Sequence, residues 1–136
     1  MPFIHIQVAP VAGVSADADT LARALTGLAE RVLRKKRELT AVRVEAVDPA
    51  AWFIGARPLT SPPHSTAHVS IQVTAGTNTA DEKARFVAAV FDELSTLLGG
   101  LDAASYVVVD EIAADAWGYG GCTQAARQAA ATAAAR

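Results

Sequence analysis

Polar and apolar residues alternate from Phe3 to Val8, with Ile4, Ile6 and Val8 on one side, and this period of two predicts a strand. Pro10 to Gly13 interrupts it. Leu21, Leu25, Leu28 and Val32 then recur at helical spacing. Ser15, Asp17 and Asp19 precede them, offering an N-cap candidate and an acidic first turn, and the basic run Arg34-Lys35-Lys36-Arg37 closes the helix. Thr40 to Val47 alternates again through Val42 and Val44. The order then repeats. Val69, Ile71 and Val73 form a strand face, and Phe86, Val90, Leu94 and Leu97 a helical stripe. Thr79-Ala80-Asp81-Glu82 opens that helix as a capping box, Gly99-Gly100 ends it, and Ser105 to Ile112 is the last long strand.

The two halves share one register, offset by 65 residues. Ile6-Gln7-Val8 recurs as Ile71-Gln72-Val73, Val42 and Val44 as Val107 and Val109, and Ala51-Trp52 as Ala116-Trp117, with Gly55 and Gly120 behind them. Leu21, Leu25 and Val32 fall on Phe86, Val90 and Leu97 without a gap. The chain is therefore a duplicated strand–helix–strand unit with a Trp-containing turn after each copy. The copies span residues 2–55 and 67–121, joined by a Pro- and Ser-rich linker over 56–66. An Ala-rich tail over 125–136 reads as a loosely held helix. Pro2 has Ala67 as its counterpart, the most useful difference between the copies.

A crossover of this length implies parallel pairing and a right-handed connection. The fold class is thus α/β, two tandem β-α-β units giving a four-stranded sheet with two helices on one face. Phe3, Ala41 and Tyr106 fall on the other face, which no remaining element covers. A bare apolar sheet face predicts an oligomer.

Composition narrows the function classes. A formal charge of −2 over 136 residues argues against a nucleic-acid surface. No apolar run approaches the length of a membrane span, and no export signal stands at the start. The single cysteine, Cys122, excludes an internal disulfide framework and fits a cytoplasmic setting. His5, His64 and His68 form no metal-ligand pattern, and Gly118-Tyr119-Gly120-Gly121 lacks the spacing of a phosphate loop.

Met1-Pro2-Phe3-Ile4-His5-Ile6, Thr40-Ala41-Val42-Arg43-Val44 and the two Trp-x-x-Gly turns resemble the tautomerase superfamily. That group includes 4-oxalocrotonate tautomerase, 5-carboxymethyl-2-hydroxymuconate isomerase and macrophage migration inhibitory factor. The likeness covers nearly the whole chain, because the long members of the family are fused duplications of the short unit. It implies a homotrimer enclosing a barrel of sheets, and cofactor-independent keto–enol proton transfer on a small α-keto or enol acid. The general base and acid would be Pro2, freed by removal of Met1. Arg43 stands where the short tautomerases carry a substrate-binding arginine, and would come from a neighbouring subunit. Lys35 stands where the cytokine-like members carry a pocket lysine. Trp52 and Trp117 occupy the position of an aromatic pocket wall, and Trp117 with Tyr119 would keep the Pro2 amine in apolar surroundings.

Each of these residues also has a plainer reading. Arg43 could be a surface charge on a strand, Lys35 a cation complementing a helix C-terminus, and the tryptophans core anchors. The sequence also departs from the family. Val14 and Thr77 stand where the short members have an arginine soon after the first strand. Thr74 to Thr79 holds none of the paired arginines of the dehalogenating members, and no water-activating carboxylate is evident, so hydrolytic dehalogenation is not expected. A trimeric binding protein on the same scaffold, without physiological turnover, is the alternative to an isomerase.

Overall fold

The computed structural model describes residues 2–60 and 64–135. β1 (Phe3–Ala9), α1 (Ala18–Leu33) and β2 (Ala41–Ala46) form the first unit. A small hairpin of β3 (Phe53–Ile54) and β4 (Arg57–Pro58) follows it. β5 (Thr66–Thr74), α2 (Ala80–Leu97) and β6 (Tyr106–Ile112) form the second unit, with the hairpin β7 (Gly118–Tyr119) and β8 (Cys122–Thr123) leading into α3 (Gln124–Ala134). The main sheet has the order β2-β1-β5-β6. Each unit pairs its own two strands in parallel, and β1 meets β5 antiparallel at the centre. Phe3 is opposite Ala41 as His68 is opposite Tyr106, so the 65-residue register of the sequence is also the register of the strands.

α1 and α2 lie side by side on one face. Ile4, Ile6, Val8, Val69, Ile71 and Val73 point into them and are essentially inaccessible, against Leu21, Leu25, Leu28, Phe86, Val90 and Leu94. Burying each such side chain contributes roughly 1.5–3 kcal/mol, so this layer outweighs any single polar contact in the molecule. The helical stripes end one residue later than the spacing suggests. Leu33 and Leu98 are the buried members, whereas Val32 and Leu97 sit at the margin. At about 100° per residue both candidates lie near the core-facing side, and only the helix's rotation decides between them.

Both helix starts are capped. Asp17 accepts from the Thr20 amide, and the Thr79–Glu82 capping box forms in both directions. The ends differ. α2 turns out through Gly99 at φ 71°, whereas the equivalent residue of α1, Arg34, takes φ 58°. The left-handed region costs a non-glycine residue on the order of 1 kcal/mol, so Arg34 needs compensation from elsewhere.

The tail is helical, α3, and is held only at its start, where Gln124 is buried under a Thr123 cap, while residues 128–135 are exposed. Two expectations change. The linker is partly structured: Arg57–Pro58 is β4, Ser65 and Thr66 are fully buried, and Thr66 already belongs to β5. Residues 61–63 of that segment lie outside the described residues. The open sheet face is more polar than its apolar members suggest. Phe3 and Tyr106 are exposed there, but His5, Gln7, Arg43, Glu45, His68, Ser70 and Gln72 share the same side by strand alternation. Glu45 accepts from Gln7 Nε2 at 3.4 Å and lies 3.1 Å from His5 Nε2, contacts that hold its carboxyl below the usual range. Within the described residues, no helix is long and apolar enough to cross a membrane.

Candidate active site

Pro2 is buried at the head of β1, one of the two central strands, and its carbonyl accepts from the Ala41 amide at 3.3 Å. On its other side runs β5. Because Phe3 pairs with Gln72, the chain at Pro2 faces the last residues of β5, Val73 and Thr74. Thr74 is a junction. Its hydroxyl accepts from the Trp117 indole N–H at 3.1 Å, and its carbonyl accepts from the Thr77 hydroxyl at 2.6 Å. The Thr77 hydroxyl in turn accepts from Lys35 Nζ at 2.9 Å. A chain of hydrogen bonds therefore links Trp117 and Lys35 to the sheet end where Pro2 sits.

The antiparallel meeting of β1 and β5 brings this about. It sets the end of the second unit, with its Trp turn, beside the start of the first. The opposite end of the sheet is the equivalent position by the repeat. Ala67 stands there, its amide committed to Ser105 Oγ at 3.1 Å, near a depression lined by Gln7, Trp52, Phe53 and His68. Ala9 replaces Thr74 at that end, so the hydroxyl that receives the Trp117 indole has no equivalent near Trp52.

Beside the Lys35 chain lies an open cavity of about 360 Å³, lined by Arg34, Lys35, Lys36 and Leu39 from the first unit and by Tyr119, Gln124 and Arg127 from the last hairpin and α3. Gly99, Gly100 and Leu101 hold the positions equivalent to Arg34, Lys35 and Lys36, so the second repeat has no counterpart of this cationic group. Arg34 is largely engaged, donating to both Glu82 oxygens at 2.7 and 3.1 Å. That pair offsets the strain of its left-handed backbone and ties the end of α1 to the start of α2. Arg34 and the Thr79 amide hold the Glu82 carboxyl down at about 2. Burial, with Arg34 adjacent, pushes Lys35 below the ordinary lysine value. A partly dehydrated cation of this kind gains from an anionic partner.

The Trp117 hairpin owes its shape to glycine. A Cβ on Gly118 would stand 2.0 Å from the Cys122 carbonyl oxygen, and one on Gly120, at φ 58°, would meet Arg127 Nη2 at 2.9 Å. The hairpin can thus bring Tyr119 under Arg127, whose guanidinium stacks 3.8 Å from the ring centroid and donates to the Tyr119 carbonyl at 2.8 Å.

Pro2, Lys35, Trp117 and Tyr119 thus lie toward the same end of the sheet, where Lys35 and Tyr119 line one cavity, Trp117 lines another, and Pro2 lines neither. Arg43 is elsewhere. It lies on the open face of β2 opposite His5, is largely exposed, and has Glu45 3.8 Å away. Val108 holds the equivalent position opposite Ser70. Arg127 and Gln124 were not anticipated, because an Ala-rich segment gives no periodic signal that places two polar residues in a cavity.

Residues 68–127 match the family model of the Tautomerase enzyme family. That match spans 60 of the 136 residues, the second unit, and the duplicated sheet has the fold of the tautomerase superfamily. No curated protein matches the chain by sequence. Its tautomerase fold recurs in a wild-type fused 4-OT solved as a symmetric trimer, with TM-score 0.75 and 20% identity over 90% of this chain and 98% of that one. A native fused 4-OT superposes with TM-score 0.75 and 22% identity, covering 90% of this chain and 97% of that one. A macrophage migration inhibitory factor-like protein from Entamoeba histolytica gives TM-score 0.71 and 15% identity, over 90% and 97% respectively. At these identities the structural likeness speaks for the fold alone.

Proposed function

We propose that this tautomerase-fold protein is a cofactor-independent isomerase that moves a proton between oxygen and carbon of a small α-keto or enol acid, with Pro2 as base and acid. The observation that carries the reading is the asymmetry of the two sheet ends. Pro2, the Lys35–Thr77–Thr74–Trp117 chain and the cationic cavity share one end, and the other offers Ala67 and no lysine or arginine in the depression beside Trp52.

With Met1 attached, the Pro2 nitrogen is an amide and has no basic lone pair. Removal of Met1 leaves a secondary amine. An ordinary α-amine is largely charged at pH 7, and a base must be neutral to accept a proton and able to return it. Burial at the head of β1 disfavours the ammonium form, and Lys35, toward the same end of the sheet, would add to it if the substrate site brings the two together. In ketonisation the neutral amine takes the enol hydroxyl proton, the oxygen lone pair closes to a carbonyl, and the carbon–carbon π electrons take a proton back from the ammonium. Substrate and product are isomers, and the amine is regenerated. Lys35 would hold the substrate carboxylate, and Trp117 and Tyr119 would wall the reacting carbon from water.

The assembly follows from the same reading. The uncovered sheet face and the trimeric state of the fused 4-OT neighbour support a homotrimer. Arg43 would then face an adjoining subunit across the open sheet and join that subunit's site, where it would bind a carboxylate or the developing enolate oxygen. A binding protein without turnover finds its support in the arginine replaced by Thr77, but Lys35 and Arg127 restore cations near that place.

The test is enol ketonisation, with phenylenolpyruvate or 2-hydroxymuconate, by processed protein whose intact mass shows loss of Met1. Pro2→Ala should lower the rate by roughly 10²–10⁴-fold, the usual worth of a positioned base, with the assembly intact. Full activity in Pro2→Ala, or in protein that retains Met1 quantitatively, would sink the proposal.

A further inference from the structure

The sheet end opposite Pro2 holds a cleft that the proposed proton transfer does not use. Two adjoining depressions, of about 280 and 320 Å³, share Trp52, Phe53 and His68 as walls. Gln7 lines the first and Tyr106 the second. Gln7, His68 and Tyr106 stand side by side on β1, β5 and β6, so they form one rung of the open sheet face beside the Trp52 turn. Phe53 is 58% exposed and Tyr106 66%. Aromatic rings left this bare in one cleft mark a surface that gains from a partner. The Thr66 hydroxyl points the same way. It is buried without a hydrogen-bond partner, two residues from His68 on the same side of β5. Leaving such a group unpaired costs free energy.

The charge of the lining selects the ligand. Among the described residues, no lysine, arginine or carboxylate lines either depression, whereas four cations line the cavity toward the other end. Gln7 commits an amide N–H to Glu45 at 3.4 Å, which leaves its side-chain carbonyl as an acceptor. We propose that this cleft is a second small-molecule site, for an uncharged planar aromatic molecule that carries a hydroxyl or a ring N–H. The ring lies among Trp52, Phe53 and Tyr106, and its polar group bonds to the Gln7 carbonyl or the His68 ring. The duplication thus yields two sites of opposite character, one cationic and one aromatic, from a single architecture. This site does not depend on the isomerase reading. A second copy of the chain is the other candidate occupant, and the concave shape with its polar rung favours a small molecule over it.

The chain's two tryptophans supply one indole N–H reporter toward each sheet end. The probe is 2-naphthol, a phenol that stays neutral at pH 7. In nitrogen-15-labelled full chain it should shift the Trp52 indole signal saturably and leave the Trp117 signal in place. A Kd of roughly 0.1–1 mM is expected for a ligand of this size. Trp52→Phe assigns the two signals. 2-Naphthoate, the same rings with a carboxylate, should bind at Trp52 about tenfold more weakly, because nothing there offsets burial of its charge. Phe53→Ala, which removes an exposed ring and no core contact, should weaken 2-naphthol about tenfold. His68→Ala should weaken it about fivefold, and Pro2→Ala should bind as wild type does. Equal movement of both indoles, no saturable shift of Trp52, or equal affinity for 2-naphthoate overturns the site. If the shift is absent and Phe53→Asp dissociates the assembly in sedimentation, a second copy fills the cleft instead. Circular dichroism checks each variant, and should Phe53→Ala unfold, His68→Ala decides by the same comparison.

Discussion

At the scale of single residues, equivalent positions in the two repeats diverge wherever chemistry is plausible. Pro2 corresponds to Ala67, Thr74 to Ala9, and Arg34, Lys35 and Lys36 to Gly99, Gly100 and Leu101. Core positions match instead, as with Leu33 and Leu98. Arg43 is the residue whose role depends most on what surrounds it. Within one chain it is a largely exposed side chain 3.8 Å from the Glu45 carboxylate, a separation worth little at a surface. If it reaches a substrate carboxylate across a subunit boundary, that contact is made equally in ground and transition states. Arg43→Ala should then raise KM roughly tenfold while kcat moves little. A fall in kcat at constant KM would place the guanidinium on the enolate oxygen, and no change in either would leave it a surface charge.

At the scale of elements, the junction between the end of α1 and the start of α2 positions Lys35. Arg34 in the left-handed region, its pair with Glu82, the Thr79 capping box and Asn78 donating to the Leu33 carbonyl at 2.9 Å form one unit. The pH dependence follows from Glu82. Its carboxyl lies at about 2 in the folded chain, below its ordinary value of 4.5. A group depressed on folding stabilises the native state fully above the unfolded value and loses that contribution as pH falls through the folded one. The thermal midpoint should therefore decline between about pH 4.5 and 2 more steeply in wild type than in Glu82→Gln, which has no such carboxyl to titrate. Parallel declines would show that other carboxylates dominate acid unfolding. The capping box itself was legible, because Thr-x-x-Glu ahead of an apolar stripe is a local pattern. The Arg34 partner was not, since it joins residues 48 positions apart.

At the scale of the whole molecule, the antiparallel contact of β1 with β5 produces two similar sheet ends with different chemistry. On the proposed reading, one reactive amine per chain is expected, and three in a trimer. A 3-halopropiolate-type reagent that labels an N-terminal proline should saturate at one adduct per chain, located by peptide mapping at Pro2, with activity lost in proportion. Adducts within residues 67 to 121, or complete inactivation at one label per trimer, would mean that the halves have been assigned wrongly. Sedimentation of the same sample reports the assembly, and an active monomer would show that the open sheet face needs no partner.

The duplication, the strand and helix order, the caps and the family resemblance were determined by the sequence, because each is carried by local periodicity or by residues in a fixed register. Alternation set the faces of the strands, so Arg43 and Val108 could be matched before any coordinates. Only the tertiary structure decided what meets at the sheet ends. Pairing of β1 with β5 puts the Trp117–Thr74 bond at the sheet end that carries Pro2 rather than the end that carries Ala67, and a one-dimensional pattern does not specify which strands become neighbours. The same holds for α3. Its alanines satisfy helix propensity without marking a face, and the seating of Arg127 on Tyr119, eight residues away, depends on the glycine hairpin that turns α3 back.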